Sequence, residues 1–317
     1  MQVYFPIAEI SLNLLFVLAI GGVVGFLSGL FGVGGGFLMT PLLIFIGVSP
    51  AVAVGTQANQ LVAASVSGVL GHWRRRNVDV KIGLYMVAGS LFGTVFGVWI
   101  FERMQALGYI DLVISLCYVV FLGLLGGLML IESTMTMFRR RRGGGARGKL
   151  HHHTWLHGLP FKARFHRSRL YISTLLPIGI GLVGGILVAI MGIGGGFILV
   201  PAMIYILGMP AAMVAGTSLF QIIFATGIAT LLHATTTHTV DALLALCLLL
   251  SGVIGAQFGT RASAHVKAEH GRLMLAILVL AVGLKLFADL VVPPEDPFSI
   301  EVTMAQLVGP LWWGASS

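Results

Sequence analysis

Long apolar runs constrain the fold of this chain more than any other feature. Residues 81–102 and 109–132 each exceed the roughly 20 residues that a helix needs to cross about 30 Å of hydrocarbon. Inside a bilayer every backbone N–H and C=O needs a protein partner, and runs of this length meet that need as helices rather than as short barrel strands. Composition agrees, because 57% of the residues are hydrophobic and only 9% are charged. The sequence therefore predicts an all-α polytopic membrane protein.

A glycine-rich motif occurs twice, as GVGGGF at 32–37 and as GIGGGF at 192–197, each followed four residues later by a proline. Glycine costs roughly 1 kcal/mol relative to alanine inside a helix, so a repeated run indicates that the bare backbone is needed there. The match extends into an internal repeat, with one residue inserted at each of two points. The matching pairs are Gly25 and Gly185, Pro41 and Pro201, Gly55 and Gly216, Thr56 and Thr217, Gln60 and Gln221, Asp79 and Asp241, Gly93 and Gly255, and Gly97 and Gly259.

The repeat predicts two membrane halves joined by a basic loop. We place the first transmembrane repeat at 1–137, a basic cytoplasmic linker at 138–171, the second repeat at 172–292 and a short tail at 293–317. Ten of the nineteen Lys and Arg residues fall between Arg139 and Arg169. Such a loop is typical of the cytoplasmic side and of binding to anionic lipid headgroups, and we expect no nucleic-acid partner.

The distribution of positive charge predicts that the two repeats are inverted. The loop 72–81 (HWRRRNVDVK) is basic, whereas its counterpart 233–241 has no Lys or Arg, and the positives of the second half appear one loop later, at 261–272. Equivalent loops then lie on opposite sides of the membrane, as in many secondary transporters. The alternative is a parallel arrangement with four full crossings per half, which places Arg261, Lys267 and Arg272 outside.

Inversion requires an odd number of crossings in each half. Residues 37–47 would span only about 16 Å as a helix, which is half a bilayer. We therefore predict two inverted repeats, each made of a re-entrant glycine hairpin and about three transmembrane helices.

The glycine turns are candidate anion sites. The returning arm of a re-entrant hairpin begins near mid-membrane, where its first N–H groups have no partner within the helix and attract a negative charge. Glycine allows close approach and positive φ, so we predict substrate contacts at Gly34, Gly35 and Gly36 and at Gly194, Gly195 and Gly196. The alternative is close helix packing, which is our prediction for Gly21, Gly25 and Gly29.

Polar side chains of the next span are predicted at the same depth. Counted from Pro50 and Pro210, Gln60 and Gln221 lie near the midplane, and Thr56 and Thr217 lie one turn earlier on the same faces. Neutral amides and hydroxyls suit an oxyanion, with Asn59 and Ser218 as weaker candidates; the alternative is a purely structural hydrogen bond between helices. Asp79 and Asp241 precede spans and are predicted to be helix caps.

The duplicated motif Gly-x-Gly-Gly-Gly-Phe-x-x-x-Pro, followed by Gly-Thr and a glutamine, resembles the sulfite exporter TauE/SafE family of bacterial membrane permeases. This resemblance covers nearly the whole chain, apart from the basic loop and the tail. It implies a multi-pass transporter of the bacterial inner membrane that moves small sulfur-containing anions, such as sulfite or organosulfonates, outward by alternating access.

Two other functions remain open at this stage. One is a passive anion channel with the same site, and the other is a membrane anchor or sensor that acts through the basic loop. We expect no enzyme, no cofactor and no metal site, because no nucleophile with its base and no ligand cluster is recognisable.

Overall fold

The computed structural model describes residues 2–31, 36–141, 162–165, 167–168, 170–194, 196–263 and 268–292. The first half contains β1 (Gln2–Phe5), β2 (Ile10–Asn13), α1 (Leu14–Phe31), α2 (Gly36–Phe45), α3 (Pro50–Arg74), α4 (Val80–Ala106) and α5 (Ile110–Arg141). The second half contains β3 (Lys162–Phe165), β4 (Leu170–Ser173), α6 (Leu175–Met191), α7 (Gly196–Tyr205), α8 (Ala211–Leu232), a π-helical turn (His233–Thr237), α9 (Ala242–Ser263) and α10 (Ala268–Val291). The same order, a hairpin followed by five helices, therefore occurs twice.

Five helical segments of the described chain are long and apolar enough to cross a membrane, at 80–106, 110–135, 213–237, 242–259 and 273–291. Helix α3 has 25 residues but is not among them, although it is the counterpart of the segment that begins at Met213. Its apolar face is interrupted by Gln57, Asn59 and Gln60. The protein is a mainly helical, multi-pass membrane protein, as the apolar runs predicted.

Two short β-hairpins were not predicted. Strands β1 and β2 pair antiparallel, with Gln2 opposite Asn13, and β3 and β4 pair in the same way. Each hairpin buries one phenylalanine, Phe5 or Phe165. Four-residue strands are too short to give a periodic pattern, which explains why the sequence did not show them. The second hairpin lies largely within the segment that we predicted to be a linker.

The two halves interlock, because the first helix of each half packs along the fourth helix of the other. Helix α1 lies along α9, and α6 lies along α4. A β-carbon added to Gly25 would overlap the carbonyl group of Gly252, and one added to Gly185 would overlap that of Ser90. Small residues therefore let these backbones touch. The packing role predicted for Gly25 is confirmed, and so is that of Gly21, which contacts Ser251.

Two aspartates fasten the halves together. Asp79 Oδ1 accepts the N–H groups of Lys81 and Ile82, at 3.1 and 3.2 Å, so it caps α4. Its Oδ2 accepts the N–H of Ser168, at 3.1 Å, in the turn between β3 and β4. Asp241 does the same at α9, because Oδ1 accepts from Leu244 and Oδ2 from Ile7 and Ala8 in the first hairpin.

The capping role predicted for Asp79 and Asp241 is therefore confirmed, and each carboxylate also binds a hairpin. The turn after β3 docks on the helix cap of the first half, and the turn after β1 docks on that of the second. This exchange joins the start of α1 to the start of α9 and the start of α6 to the start of α4, along which these helices pack.

Candidate functional site

The described ends of the two glycine turns meet at a single side chain. A β-carbon placed on Gly36 would lie 2.9 Å from Cδ1 of Leu61 and 3.2 Å from the carbonyl oxygen of Ile193, in the opposite turn. One placed on Gly194 would lie 3.1 Å from the same Cδ1 atom. Leu61 on α3 thus fills the space between the two turns. A site formed by both turns needs this proximity.

The second turn has the backbone that only glycine adopts easily. Gly192 ends α6 with φ of 66°, and its N–H bonds to the carbonyl of Val188 at 2.9 Å. Gly194 has φ of 70°, in the left-handed region that glycine adopts without strain. A side chain at Gly192 would also lie 2.8 Å from the carbonyl oxygen of Val54, so both space and conformation require glycine there.

Gly36 and Gly196 are the first residues of the short helices α2 and α7. Their N–H groups therefore belong to a first helical turn, which is the position that the anion hypothesis requires. A β-carbon on Gly196 would lie 3.3 Å from Cδ1 of Ile222, the counterpart of Leu61. Gly34, Gly35 and Gly195 lie outside the described residues.

Thr56 and Thr217 connect the two halves. The backbone N–H of Asp241 donates to Oγ1 of Thr56 at 3.1 Å, and the N–H of Asp79 donates to Oγ1 of Thr217 at 3.0 Å. Both threonines have 0% of their surface exposed. The acceptor side of each hydroxyl is thus engaged with the opposite half, and each oxygen keeps its hydrogen to donate.

Gln60 points toward the seam between α1 and α9. Its Nε2 donates to the carbonyl oxygen of Leu248 at 3.2 Å and lies 2.7 Å from a β-carbon placed on Gly252. Its counterpart Gln221 is fully buried, and neither of its amide atoms has a hydrogen-bond partner among the described residues. Gln60 therefore neighbours α9, whereas the adjacent Leu61 contacts the glycine turns.

The two weaker candidates differ in burial. Asn59 is half-buried, whereas Ser218 is 3% exposed and donates through Oγ to the carbonyl of Ala215 at 3.0 Å. Within the described residues no group of three or more His, Cys, Asp or Glu side chains could hold a metal ion.

Comparison with known proteins shows the family of this helical bundle. The model of the sulfite exporter TauE/SafE family matches residues 17–286, which include both glycine turns and both interlocked halves. The chain belongs to this family. The match confirms the resemblance predicted from the duplicated glycine motif.

Two of the relatives of this TauE/SafE protein align with most of its length, and a third aligns with less than a third of it. "Probable membrane transporter protein YjnA" of Bacillus subtilis (strain 168) is 30% identical over 271 residues, which cover 85% of this chain and 98% of the relative. "Probable membrane transporter protein MJ0441" of Methanocaldococcus jannaschii is 26% identical over 294 residues, which cover 87% and 96%. "Sulfite exporter TauE/SafE family protein 3" of Arabidopsis thaliana is 30% identical over 95 residues, or 30% of this chain and 20% of that protein. No solved structure matches the chain. These names point to transporters rather than enzymes.

Sequence analysis missed one polar residue of this TauE/SafE protein, Gln57. It is 1% exposed, and its Oε1 atom has no hydrogen-bond partner within the described chain. It precedes Leu61 by four residues, so both side chains lie on the same face of α3, the face that meets the glycine turns. Ser218 is in the equivalent place on α8, four residues before Ile222.

The reason for the omission is that Gln57 does not repeat. The residues shared by the two halves of the TauE/SafE chain include Gln60 and Gln221 but not Gln57, because Ser218 occupies the equivalent position. The signal available in the sequence was the position of Gln57, a polar residue one helical turn before Leu61. Gln57 and Ser218 thus occupy equivalent places on α3 and α8, each one helical turn before the side chain that contacts a glycine turn.

Proposed function

We propose that this protein is a secondary transporter of small sulfur-containing anions, such as sulfite or organosulfonates, in the bacterial inner membrane. The single observation that carries the proposal is the meeting of the two glycine turns at Leu61. Two sets of first-turn N–H groups then converge, and they favour a negative charge without a fixed cation that would hold it tightly. The family match supports a small-anion substrate.

In this proposal the two halves are inverted repeats, and α1 with α2 and α6 with α7 are re-entrant hairpins. Each returning arm has 10 residues, about 15 Å of helix, which reaches half of the hydrocarbon. The glycines of both turns contact the anion through the backbone, namely Gly34, Gly35, Gly36, Gly194, Gly195 and Gly196. Gln57 and Ser218 contribute amide and hydroxyl groups from α3 and α8, and Thr56, Asn59, Thr217 and the two repeated glutamines complete the predicted lining.

Alternating access then arises from movement of mixed helix bundles. Because α1 packs along α9 and α6 along α4, the bodies that move are these mixed pairs with their short arms, not the two halves of the sequence. The anion site lies where the two bodies meet. Net movement follows the electrochemical gradient, and it is outward when the anion accumulates in the cytoplasm.

The test is flux of ³⁵S-labelled sulfite, thiosulfate and taurine into proteoliposomes, with wild type, Gly194→Ala and Gly208→Ala. Gly194 and Gly208 both have φ of 70°, but a β-carbon on Gly208 meets nothing within 4 Å. Both variants therefore carry the same backbone strain, and only the first touches the site. We expect saturable flux in wild type, a several-fold loss in Gly194→Ala, and flux near wild type in Gly208→Ala.

Two results would contradict the transporter. If correctly inserted protein shows no saturable flux of any of the three anions, the proposal that it transports such anions is wrong. Single-channel currents in planar bilayers would instead indicate a passive channel. Equal loss of flux in both glycine variants would show that the loss comes from backbone strain and not from contact with the anion site.

A further inference from the structure

A buried histidine lies at the end of α8, where the helix widens into the π-helical turn. His233 has 0% of its surface exposed, and the edge-to-face ring of Phe101 on α4 covers it at 4.6 Å between centroids. π-helical turns are rare and are often found at functional sites. An ionisable side chain inside a membrane span is in general a functional candidate, with its partner named.

Both ring nitrogens of His233 have an oxygen partner. Nε2 is 2.9 Å from the carbonyl oxygen of Ala189, and Nδ1 is 3.2 Å from Oγ1 of Thr237. Because a carbonyl only accepts, Nε2 carries the hydrogen of the neutral ring and Nδ1 accepts from the Thr237 hydroxyl.

The same surroundings also accommodate the protonated ring. Thr237 Oγ1 lies 2.9 Å from the carbonyl oxygen of His233. When Nδ1 gains a proton, its N–H donates to Oγ1, and the Thr237 hydroxyl turns its own hydrogen to that carbonyl. Every donor therefore has an acceptor in both protonation states, as buried polar groups require.

A chain of hydroxyls leads from His233 to the α8–α9 loop. Thr237 Oγ1 is 2.9 Å from Oγ1 of Thr239, which is 3% exposed and follows the exposed His238. A proton from water at the loop passes to Thr239, the hydrogen of Thr239 passes to Thr237, and that of Thr237 passes to Nδ1. One proton enters, and both hydroxyls are restored.

The histidine is coupled to the anion site through one helix end. Ala189 lies in the last turn of α6, three residues before Gly192 begins the second glycine turn. The carbonyl groups of a helix C-terminus favour a positive charge. Tyr118 on α5 donates its hydroxyl to the carbonyl of Met191 in the same turn. A charge gained at His233 therefore acts on the backbone that leads into Gly194.

Other titratable groups on the flanking elements are either exposed or already engaged. On α4, Glu102 and Arg103 follow Phe101 and are exposed. Tyr118 on α5 is bonded as described, and the carboxylate of Asp241 accepts three backbone N–H groups. His72, at the equivalent position on α3, is half-buried, and its Nδ1 has no partner among the described residues.

We propose that His233 is the site of a proton that is transported together with the anion. This inference rests on the proposed anion transport and names its coupling ion. The imidazolium forms beside the helix end that shapes the second glycine turn, so proton binding and anion binding favour each other. Net direction then follows the sum of the two gradients, and a sufficiently large anion gradient drives efflux.

The test uses ³⁵S-thiosulfate in proteoliposomes that contain a pH-sensitive dye, because thiosulfate is fully ionised near neutral pH and carries no proton of its own. His233→Gln keeps an amide N–H for Ala189 and an amide oxygen for Thr237 but does not titrate. His72→Gln is the matched control in the other half. We expect an imposed proton gradient to stimulate wild-type flux several-fold, with dye-reported proton movement in the same direction. His233→Gln should lose this stimulation while exchanging labelled for unlabelled thiosulfate, and His72→Gln should keep both.

The proposal is overturned if an imposed proton gradient does not change wild-type flux, or if the stimulation persists in His233→Gln. Neither result contradicts anion transport itself. If His233→Gln does not insert, Thr237→Val removes the relay and the second acceptor, and the same loss is expected. ¹⁵N-histidine NMR of wild type in nanodiscs tests the site without any substrate. We expect a buried ring, assigned by its absence in His233→Gln, to become an imidazolium on acidification. A ring that stays neutral until the protein unfolds contradicts the proposal even if no anion is transported.

Discussion

Single buried polar residues hold the two halves of this protein together. Thr56 and Thr217 each accept the N–H of the aspartate that caps a helix in the opposite half, and that aspartate also binds a hairpin turn. The capping role of Asp79 and Asp241 could be predicted, because a carboxylate before an apolar run is a local signal. The partner across the interface could not, because nothing in the sequence around Thr217 indicates Asp79. For the same reason the buried surroundings of His233 and Gln57 emerge only from the fold.

At this scale we predict that Thr217→Val destabilises the protein, because the buried N–H of Asp79 loses its acceptor, at a cost of about 1–3 kcal/mol. Thr226→Val on the same helix is the control, since its hydroxyl donates only to carbonyls of its own helix. Thermal unfolding in detergent measures both. A Thr217→Val protein as stable as the control would show that the link between the halves is not needed for stability.

At the scale of elements, glycine determines which helices touch. Gly25 in α1 and Gly185 in α6 face backbone carbonyl groups of α9 and α4. From the other side of the same contacts, Gly93 and Gly97 of α4 face α6, and Gly255 and Gly259 of α9 face α1. The apolar runs predicted the long helices, and the small residues predicted close contacts, but neither indicates which helix is the partner. The hairpins could not be predicted, because strands of four residues are too short to show an alternating hydrophobic pattern.

We predict that Gly185→Ala weakens folding, because its methyl group would overlap the carbonyl of Ser90 and force α4 and α6 apart. Gly179→Ala in the same helix is the matched control, since a β-carbon there meets nothing within 4 Å. Alanine also favours the helix over glycine by about 1 kcal/mol, so the control should be neutral or slightly more stable. Folded yield and the unfolding temperature report both variants. Equal behaviour would contradict direct backbone contact at this crossing.

At the scale of the whole molecule, the repeat could be predicted from the sequence, because glycines, prolines and aspartates recur at a nearly constant spacing. The family match confirms the resemblance drawn from that repeat. The exchange of partners between halves was not predictable, because two repeats can pack side by side or through one another with the same hydrophobic pattern. Inversion and the re-entrant hairpins remain predictions, which the flux and topology of the reconstituted protein will test.

We predict that the chain, cut between residues 150 and 151, assembles from its two co-expressed pieces. Each piece supplies helices that pack against helices of the other piece, α1 along α9 and α6 along α4. An affinity tag on one piece should retain the other in detergent, and either piece alone should give little folded protein. Recovery of a well-folded single piece would show that a half is stable without its counterpart.

The crossing of α1 over α9 also has a consequence for biosynthesis. The ribosome makes α1 before α9, and helices α2 to α8 are synthesised between them. During that interval the face of α1 that carries Gly21 and Gly25 must be covered by lipid or by the insertion machinery. The two halves can therefore pack together only after α9 has been synthesised. A premature stop codon anywhere before α9 leaves α1 without the helix that packs along it.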